Sequence, residues 1–426
     1  MIKLYFPESF GQVDHVGYNH AVSLFNKILG AYITKDPTEA DFRVHCNLPW
    51  HHNPKDLKKD GLPLIHYTMY ESTKVPKSWV KYLNKNVDIV LVPSLWCKKV
   101  FIKSGVKKPI HVLSLCYDSD KIKYVKKQNN LGSYVFLWQG VVFDSGGRKG
   151  LDVVKKAFLE LKRDCMIGSD AKLVLKVKPW KDKPVEIDGI ENGQGVVYLQ
   201  RNLSREQLEN LYKKVDCCIN PTHGEGFGLI PLEQMAMGKP VIVTDWSMPY
   251  LEHDHCYKLK YELKKSPVYF NHKFIAVSLN GMAYNFGGLY NDVVIMPKIR
   301  KLMADNKNVV GVYSEGVKPP KLSFLKTLKA KINNWFYYFQ KATHFYFDTT
   351  RKKHLICGEH PGYDAFVDVE DLKEKMIYCY NNKTIAEDKG FMASHYVERN
   401  WGKDRMLRDF ENLIPILKQF TEERNG

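Results

Sequence analysis

Residues 215–252 read VDCCINPTHGEGFGLIPLEQMAMGKPVIVTDWSMPYLE and contain the pattern that decides the fold. The apolar run at residues 217–220 predicts a buried strand. The loop HGEGFG after it holds three glycines, which tolerate positive φ and let a ligand approach the backbone closely. A helix is predicted to begin at Pro231, a residue suited to the first helical position, and to end at Gly238. A second strand at residues 240–244 completes a strand–loop–helix–strand unit.

The loop of this unit has the chemistry of a nucleotide site. In open α/β sheets, ligands bind at the carboxyl ends of strands, where this loop would lie. Backbone N–H groups at the start of the helix can hold a phosphate. Glu233, predicted in the first helical turn, could pair its two oxygens with a ribose diol, and Glu225 would then face the group attached to the distal phosphate. In the alternative interpretation, the glycines only form a turn and Glu233 only complements the helix dipole.

Similar units extend on both sides of this stretch. Apolar runs of strand length alternate with helical patterns, which is typical of parallel sheets in an α/β fold. A Rossmann-like domain is predicted over residues 1–130 and a second over residues 131–403, because residues 125–133 are polar and lack apolar periodicity. The second domain includes an insertion at about residues 270–360. Residues 404–426 are predicted to form a helix that crosses back to the first domain, so that the two domains face a cleft.

Individual elements follow from local patterns. Ser204 and Gln207 have the spacing of a capping box and predict a helix start. Helices are also predicted at residues 20–29, 369–380 and 404–420. Further strands are predicted at residues 2–6, 42–46, 64–68, 89–92, 110–113, 134–138, 172–178 and 196–199.

The segment EGFGLIPLE, in which seven residues separate Glu225 from Glu233, and its continuation MAMGKPVIVTD resemble a known signature. It is that of the retaining nucleotide-sugar glycosyltransferases of family 4, which have the GT-B fold. The resemblance implies that Glu225 lies near the donor sugar and that Glu233 binds the ribose. It also implies no cofactor besides the donor, a nucleotide-diphosphate sugar linked to UDP or GDP. The donor-binding set is expected to comprise Gly226, Phe227, Gly228, Leu229, Glu233 and His223.

Residues 136–158, FLWQGVVFDSGGRKGLDVVKKAF, resemble the family's first strand and loop of the C-terminal domain, where basic side chains grip the diphosphate. Lys149 precedes Gly150 as the family's lysine does. The family's partner arginine is missing near Gly140, and Arg148 is expected to substitute for it. The predicted catalytic residues are therefore Glu225, Lys149 and Arg148. The alternative is that both cations are solvated loop charges.

The acceptor side is predicted in the first domain. Residues 66–101 begin HYTMYESTKVP and resemble a subgroup of the family with a Glu-Ser/Thr turn before a proline, so that Glu71 and Ser94 would face the cleft. His66 and His15 are candidates for the family's sugar-contacting histidine, with a structural role as the alternative. Gly11 and Gly17 lie in GQVDHVGYNH, which matches the family's flexible acceptor-side loop in position.

Glycosyl transfer requires a stabilised leaving group, an oriented donor and a positioned acceptor hydroxyl. Lys149, Arg148 and the start of the helix before Glu233 could neutralise the leaving diphosphate, so we expect transfer of a hexosyl group without a metal. Retention of anomeric configuration is implied by the family. Negative charge from Glu225 would favour an oxocarbenium-like transition state. The alternative function is a non-catalytic GT-B-like protein that binds a polyanion or a membrane.

Charge and composition set the expectations about partners. The 426-residue chain is 44% hydrophobic and carries 64 Lys plus Arg against 47 Asp plus Glu, a net charge of +17, which predicts affinity for phosphates or other anions. Residues 318–353 hold nine basic and one acidic residue among aromatics. Three interpretations are open: an exposed helix whose solvated lysines surround a packed aromatic stripe, peripheral contact with an anionic membrane, or recognition of the acceptor or another polyanion. A nucleic-acid partner is not expected. The nine cysteines lack a C-x-x-C pair, and no apolar stretch resembles a signal peptide or membrane span. We therefore expect a cytoplasmic protein whose acceptor is a glycan, lipid or protein.

Overall fold

The computed structural model describes residues 1–7, 16–49, 57–128, 132–140, 148–177, 194–200, 202–265, 269–271, 276–278, 310–312 and 362–425. These residues contain two six-stranded parallel sheets with helices packed on them. The predicted α/β class with two Rossmann-like domains is confirmed.

The first sheet has the strand order β2-β1-β3-β4-β5-β6. Its inner strands β3 to β5 are buried along their whole length, as expected for parallel strands that are covered on both faces. Short 3₁₀ turns at Gly30–Tyr32 and Pro37–Glu39 flank β2. The elements are β1 (Leu4–Tyr5), α1 (Val16–Leu29), β2 (Ile33–Thr34), β3 (Phe42–Cys46), β4 (Leu64–Tyr67), α2 (Lys77–Asn86), β5 (Ile89–Val92), α3 (Leu95–Ser104) and β6 (Ile110–Val112).

The second sheet has the order β12-β11-β10-β7-β8-β9. A 3₁₀ turn at Pro249–Glu252 precedes its last strand. The capping box at Ser204 and Gln207 forms as predicted, with both reciprocal hydrogen bonds present. The elements are β7 (Tyr134–Gly140), α4 (Leu151–Arg163), β8 (Ala171–Val177), β9 (Val196–Gln200), α5 (Arg205–Tyr212), β10 (Cys217–Asn220), α6 (Leu229–Ala236), β11 (Val241–Thr244) and β12 (Tyr257–Leu259).

The direction of chain progression reverses once in each sheet. In the second sheet the chain runs outward from β7 through β8 to β9, then returns to the other side of β7 with β10. The carboxyl ends of β7 and β10 therefore flank a topological switch point, where open α/β sheets bind ligands. The loops after these two strands carry residues 148–150 and 221–228.

A two-stranded antiparallel ribbon leaves the second sheet beyond β12. Strand β13 (Tyr261–Lys265) pairs with a strand almost a hundred residues later, Tyr363–Val367, in a register that joins Lys265 to Tyr363. Between them the structure describes three short paired strands: β14 (Tyr269–Asn271), β15 (Ala276–Ser278) and β16 (Val310–Val312). The returning strand is β17. The remainder of the predicted insertion, including the basic segment 318–353, lies outside the described residues.

Three helices complete the chain: α7 (Val369–Asn381), α8 (Lys383–Trp401) and α9 (Lys403–Asn425). Helix α9 reaches the first sheet, where Phe410 contacts Tyr32 and Phe420 contacts Phe42, with ring centroids 4.9 and 5.9 Å apart. The Arg424 guanidinium also donates to the backbone oxygen of Gly61. The C-terminal helix thus packs on elements formed by the first part of the chain.

Two predicted helix starts are wrong, and one helix was not predicted. Helix α6 begins at Leu229, after Gly228, so Pro231 is its third residue and Glu233 lies beyond the first turn. Helix α1 begins at Val16, so residues 16–20 are helical and do not belong to a loop. Helix α8 was not predicted, because Gly390 interrupts its pattern. The glycine is required there since a Cβ would lie 2.5 Å from the backbone oxygen of Gly238.

Candidate active site

The loop after β10 is tied to the residues that follow β7. The backbone N–H of His223 donates to the Arg148 oxygen at 2.7 Å, and the Thr222 hydroxyl donates to the same oxygen at 3.2 Å. The Thr244 hydroxyl at the end of β11 holds the Thr222 oxygen at 2.7 Å. Gly150, in the left-handed region with φ +71°, lies so close to the Pro221 oxygen that no side chain would fit. The sequence therefore brings Arg148, Lys149 and Glu225 to one place, as predicted.

Four charged side chains meet at this switch point. The Lys149 ammonium forms an ion pair with Glu225, and Arg148 donates to the Gly224 oxygen. The Arg148 guanidinium also lies 3.9 Å from a Glu225 oxygen and 4.0 Å from an oxygen of Glu71, which comes from the first domain. Two cations and two carboxylates from both domains thus form one cluster, which we call the charged centre.

Burial and neighbouring charge set the ionisation of the charged centre. Burial acts to raise the pKa of Glu225, but Lys149 and Arg148 outweigh it and hold that pKa below its usual value. Burial lowers the pKa of Lys149, although Glu225 opposes the change. Burial raises the pKa of Glu71 to about 7, with Arg148 opposing it and Glu225 adding to it. Glu225 is therefore ionised at neutral pH, whereas Glu71 is close to half-protonated.

Glycines let the first domain approach the loop after β10. A side chain at Gly224 would collide with the backbone oxygen of Glu71, and one at Gly226 would lie 2.7 Å from Met69. The Cys97 thiol, in the first turn of α3, donates to the Gly226 oxygen at 3.3 Å. These glycines were predicted to let a ligand approach the backbone of the loop. In the structure they also allow the first domain to pack closely against that backbone.

Glu233 belongs to a second group of ionisable side chains, which lies beside the first domain. Its carboxylate is 3.6 Å from Nε2 of His20 on α1. Burial and the nearby Asp118 raise the pKa of Glu233 to about 7, and burial lowers the pKa of His20. Lys27 forms ion pairs with Asp118 and with its neighbour Asp120. His20 was not singled out in the sequence, because only the folded α1 brings it to Glu233.

Phe227, Leu229 and His223 of the predicted donor-binding set are buried to different extents and have different neighbours. Phe227 is 2% exposed and packs against Trp401 and Tyr250, so its side chain belongs to the core and only its backbone can face a ligand. Leu229 is half-buried at the first position of α6. The His223 ring lies 4.4 Å from the Phe366 ring, and burial together with Arg148 lowers the pKa of His223 to about 4.

Two of the predicted acceptor-side residues, His66 and Gly17, have no contact with the charged centre among the described residues. His66 is buried within β4, where its Nε2 lies 3.0 Å from the Asn47 oxygen and its ring contacts those of His45 and Tyr82. It therefore has the structural environment of the alternative interpretation. Gly17 is exposed in α1, with open space around the position of a Cβ.

The other acceptor-side candidates are Ser94, Gly11, His15 and Glu71. Ser94 caps α3 by accepting from the Cys97 N–H at 3.1 Å. Gly11 and His15 lie outside the described residues. Glu71 is the one acceptor-side prediction that the described residues place in the charged centre.

The ribbon strand β17 borders the site and was missed entirely. The Tyr363 oxygen accepts from the Ser72 hydroxyl at 2.9 Å and from the Thr73 N–H at 3.3 Å. Two residues later, the Ala365 N–H donates to the His223 oxygen at 2.8 Å. Strand β17 thus links the Glu71 turn to the loop after β10. No local signal predicts this contact, since the partners are 291 positions apart in sequence.

The described residues contain neither a metal-binding cluster nor a helix that could span a membrane. No three side chains of His, Cys, Asp or Glu among them are close enough to hold a metal ion. In the same part of the chain, no helix combines the length and apolar character needed to cross a bilayer.

Comparison with known proteins locates one family match. Residues 127–252 match the family model described as glycosyl transferases group 1. An uncharacterized glycosyltransferase of Methanocaldococcus jannaschii is 24% identical over 213 residues, which cover 44% of this chain and 57% of that protein. A Sulfolobus islandicus filamentous virus protein named as glycosyltransferase 45 is 24% identical over 195 residues, 45% of this chain and 51% of its own. The matches thus span little more than half the length of these relatives.

The solved structures share less sequence identity with this chain than these relatives do. The Anabaena protein HepE, in complex with UDP and glucose, has a TM-score of 0.49 at 10% identity, covering 92% of this chain and 81% of its own. The sucrose-phosphate synthase of Thermosynechococcus elongatus has a TM-score of 0.47 at 13% identity, covering 94% and 78%. Residues 127–252 therefore match the group 1 glycosyl transferases, within a chain whose two Rossmann-like domains have the GT-B fold.

Proposed function

We propose that this protein is a retaining glycosyltransferase of the family 4 type, which transfers a hexosyl group from a UDP- or GDP-linked sugar to an acceptor hydroxyl. The observation that carries the proposal is the placement of Arg148, Lys149 and Glu225 at the switch point between β7 and β10, within the segment that matches the family model. A nucleotide-binding sheet presents ligands at that position.

Arg148 and Lys149 act on the leaving group in this proposal. Transfer leaves negative charge on the departing nucleoside diphosphate, and preorganised cations in a buried site stabilise such charge without reorganisation. Both side chains are mostly buried, with 7% and 19% exposure. They supply the neutralisation through protein groups, so we propose that transfer needs no metal ion.

Glu225 acts on the sugar. Its lowered pKa keeps it ionised at neutral pH. A carboxylate beside the anomeric carbon stabilises an oxocarbenium-like transition state. The diphosphate would compete with Glu225 for Lys149, so binding of the donor would free the carboxylate to face the sugar. This role agrees with retention by either double displacement or attack from the face of the leaving group.

The start of α6 serves the nucleotide. The backbone from Gly226 to Leu229 leads into the helix and would hold the diphosphate, as anions bind at helix N-termini. Glu233 lies one turn further along and would accept hydrogen bonds from the ribose hydroxyls. His223 is neutral at pH 7 and would bind sugar hydroxyls as a hydrogen-bonding group.

Glu71 serves the acceptor. It belongs to the first domain, and its carboxylate lies across the charged centre from Glu225, on the other side of Arg148. We propose that it accepts a hydrogen bond from the acceptor hydroxyl and orients it. Gly11 remains part of this proposal through its position in the sequence. Gly17 and His66 are not retained, because their surroundings give no support to such a role.

Two variants test the assignment. We expect Glu225→Ala and Lys149→Ala each to reduce donor hydrolysis and transfer by about a hundredfold or more, as removal of one preorganised group does in other enzymes. Glu209→Ala and Lys172→Ala, on the surface of α5 and β8, are matched controls that should retain full activity. A thermal-shift screen over UDP- and GDP-sugars identifies the donor first, since a ligand in large excess over its Kd stabilises the fold. Full turnover by both site variants would refute the proposed function.

A further inference from the structure

Helices α2 and α3 form a basic outer face on the first domain. Neither helix contains an aspartate or glutamate. On α2 the lysines recur every four residues, which places them along one side of the helix. Five exposed lysines of the two helices and of the loop that follows α3 form this surface: Lys81, Lys85, Lys99, Lys103 and Lys107. We call this surface the α2–α3 face.

Hydrogen bonds hold the two helices in a fixed relation. The Ser104 hydroxyl, at the end of α3, accepts from the Val75 N–H just before α2, at 2.8 Å. At the other end of α2, the Asn84 amide donates to the Gly105 oxygen at 2.9 Å and accepts from the Lys107 N–H at 2.7 Å. The carboxyl end of α3 therefore lies beside both ends of α2, and the two helices carry their lysines on one hydrogen-bonded unit.

Two apolar side chains project from this basic face. Leu95 is 65% exposed and Ile102 is 52% exposed. They are seven positions apart on α3, Lys99 lies four residues after Leu95, and Lys103 lies four residues after Lys99, so the two lysines follow the same side of the helix. The opposite side of α3 is buried through Cys97, Val100 and Phe101. The exposed side of the helix thus combines two apolar side chains with two lysines.

The acidic residues that flank α2 in sequence interact elsewhere. Glu71 belongs to the charged centre, and Asp88 pairs with Lys58. Lys373 on α7, by contrast, contacts both Glu160 and Glu370. The positive charge of the α2–α3 face is therefore a local excess that favours an anionic partner.

We propose that the α2–α3 face docks on a bilayer that carries anionic lipids. Lysines would meet the headgroups while Leu95 and Ile102 enter the interface, which is the combination that peripheral membrane helices use. A soluble polyanion or nucleic acid would be bound by the lysines but would leave both apolar tips in water. On the opposite, buried side of α3 the Cys97 thiol donates to the Gly226 oxygen, so the docked helix would lie between the bilayer and the loop that carries Glu225.

Co-sedimentation with vesicles tests this proposal on the full chain. The wild type is expected to sediment with phosphatidylcholine vesicles that contain phosphatidylglycerol, and not with vesicles of phosphatidylcholine alone. Charge reversal at Lys81, Lys99 and Lys103 together is expected to reduce partitioning about a hundredfold, since each lysine near an anionic surface contributes about fivefold. Ile102→Ser is expected to reduce it about fivefold without changing the charge. The matched control reverses three exposed lysines outside the face: Lys126, Lys172 and Lys418.

The outcomes are distinct. Loss of vesicle binding in the α2–α3 triple variant, with binding kept in the control triple and an unchanged melting temperature, supports the proposal. Equal loss in both triples would show a response to net charge alone and would overturn it, as would a wild type that binds heparin but no vesicle. Donor hydrolysis in solution should be unchanged in the α2–α3 triple. Vesicle binding therefore tests the membrane proposal, and donor hydrolysis tests the proposed transferase activity independently of it.

Discussion

Replacement of Glu225 by glutamine should have opposite effects on donor-product binding and on transfer. In the unliganded protein the Glu225 carboxylate neutralises Lys149 and lies 3.9 Å from Arg148. A nucleoside diphosphate that binds these two cations must compete with the carboxylate and then lie close to its negative charge. Glu225→Gln removes both obstacles while it keeps the size of the side chain.

The expected gain in affinity follows from the distances. A phosphate that contacts Lys149 and Arg148 would lie about 6 Å from the carboxylate, where unit charges interact by about 3 kcal/mol at an effective dielectric of about 20. Screening at a partly exposed site reduces this to about half, which is about tenfold in Kd. Transfer should nevertheless slow by about a hundredfold, because the transition state loses a nearby negative charge.

Isothermal titration calorimetry with UDP and GDP at neutral pH measures the first effect, and turnover of the identified donor measures the second. The variant also leaves Lys149 without its partner, which should destabilise the unliganded protein by about 3 kcal/mol and enlarge the thermal shift caused by the nucleotide. Glu209→Gln on the exposed surface of α5 is the control and should change neither quantity. Weaker nucleotide binding by Glu225→Gln, or undiminished transfer, would contradict the proposed arrangement.

Three further predictions concern stability. Glu71 has a pKa of about 7 in the fold against an ordinary 4.5, so its stabilising contribution is complete below pH 4.5 and lost as pH rises through 7. Between pH 4.5 and 7, the free energy of unfolding of the wild type should fall by about 3 kcal/mol more than that of Glu71→Gln. Denaturant unfolding at several pH values measures this difference, and an equal pH dependence in the two proteins would show that the pKa of Glu71 is not raised. Gly390→Ala should lower the melting temperature markedly, because backbone lies 2.5 Å from the new Cβ, whereas the control Gly17→Ala should be neutral or stabilise by about 0.5 kcal/mol. Gly150→Ala should destabilise by about 2 kcal/mol and reduce donor hydrolysis, since it combines φ +71° with a clash beside Lys149; wild-type stability would contradict the close packing.

Buried parallel strands were the most predictable part of the fold. Residues 217–220, 42–46 and 89–92 were predicted with the bounds that the structure has, because strands covered on both faces are rich in apolar residues and are bounded by polar turns. Residues 89–92 are apolar throughout, whereas Arg43 and His45 interrupt the apolar pattern of residues 42–46. The start of α6 was misplaced because Pro231 suits a first turn generally, while Gly228 with φ +83° allows the chain to enter the helix two residues earlier.

The site was predictable where its residues share one chain segment or one sheet edge. Glu225, Lys149 and Arg148 follow neighbouring strands, so their meeting follows from sheet order. The contact of His20 with Glu233 joins two domains, and no local pattern encodes it. Helix α8 was missed since its weak amphipathic pattern contains Gly390, whose role is a close approach to another segment that only the folded chain reveals.

The β13–β17 ribbon has a consequence for how such a protein can diversify. Lys265 and Tyr363 are register partners, so the chain between them leaves and rejoins the fold at neighbouring positions. The entropic cost of closing such a loop grows only slowly with its length. A longer or shorter segment between the two residues therefore changes the stability of the two sheets little. These positions lie beside the Glu71 turn, through the hydrogen bonds of Tyr363. Segments of different length and chemistry could be exchanged there while both sheets and the charged centre stay as they are. If the proposed function holds, the ribbon is a point beside the acceptor where inserted segments could change substrate preference while the charged centre stays as it is.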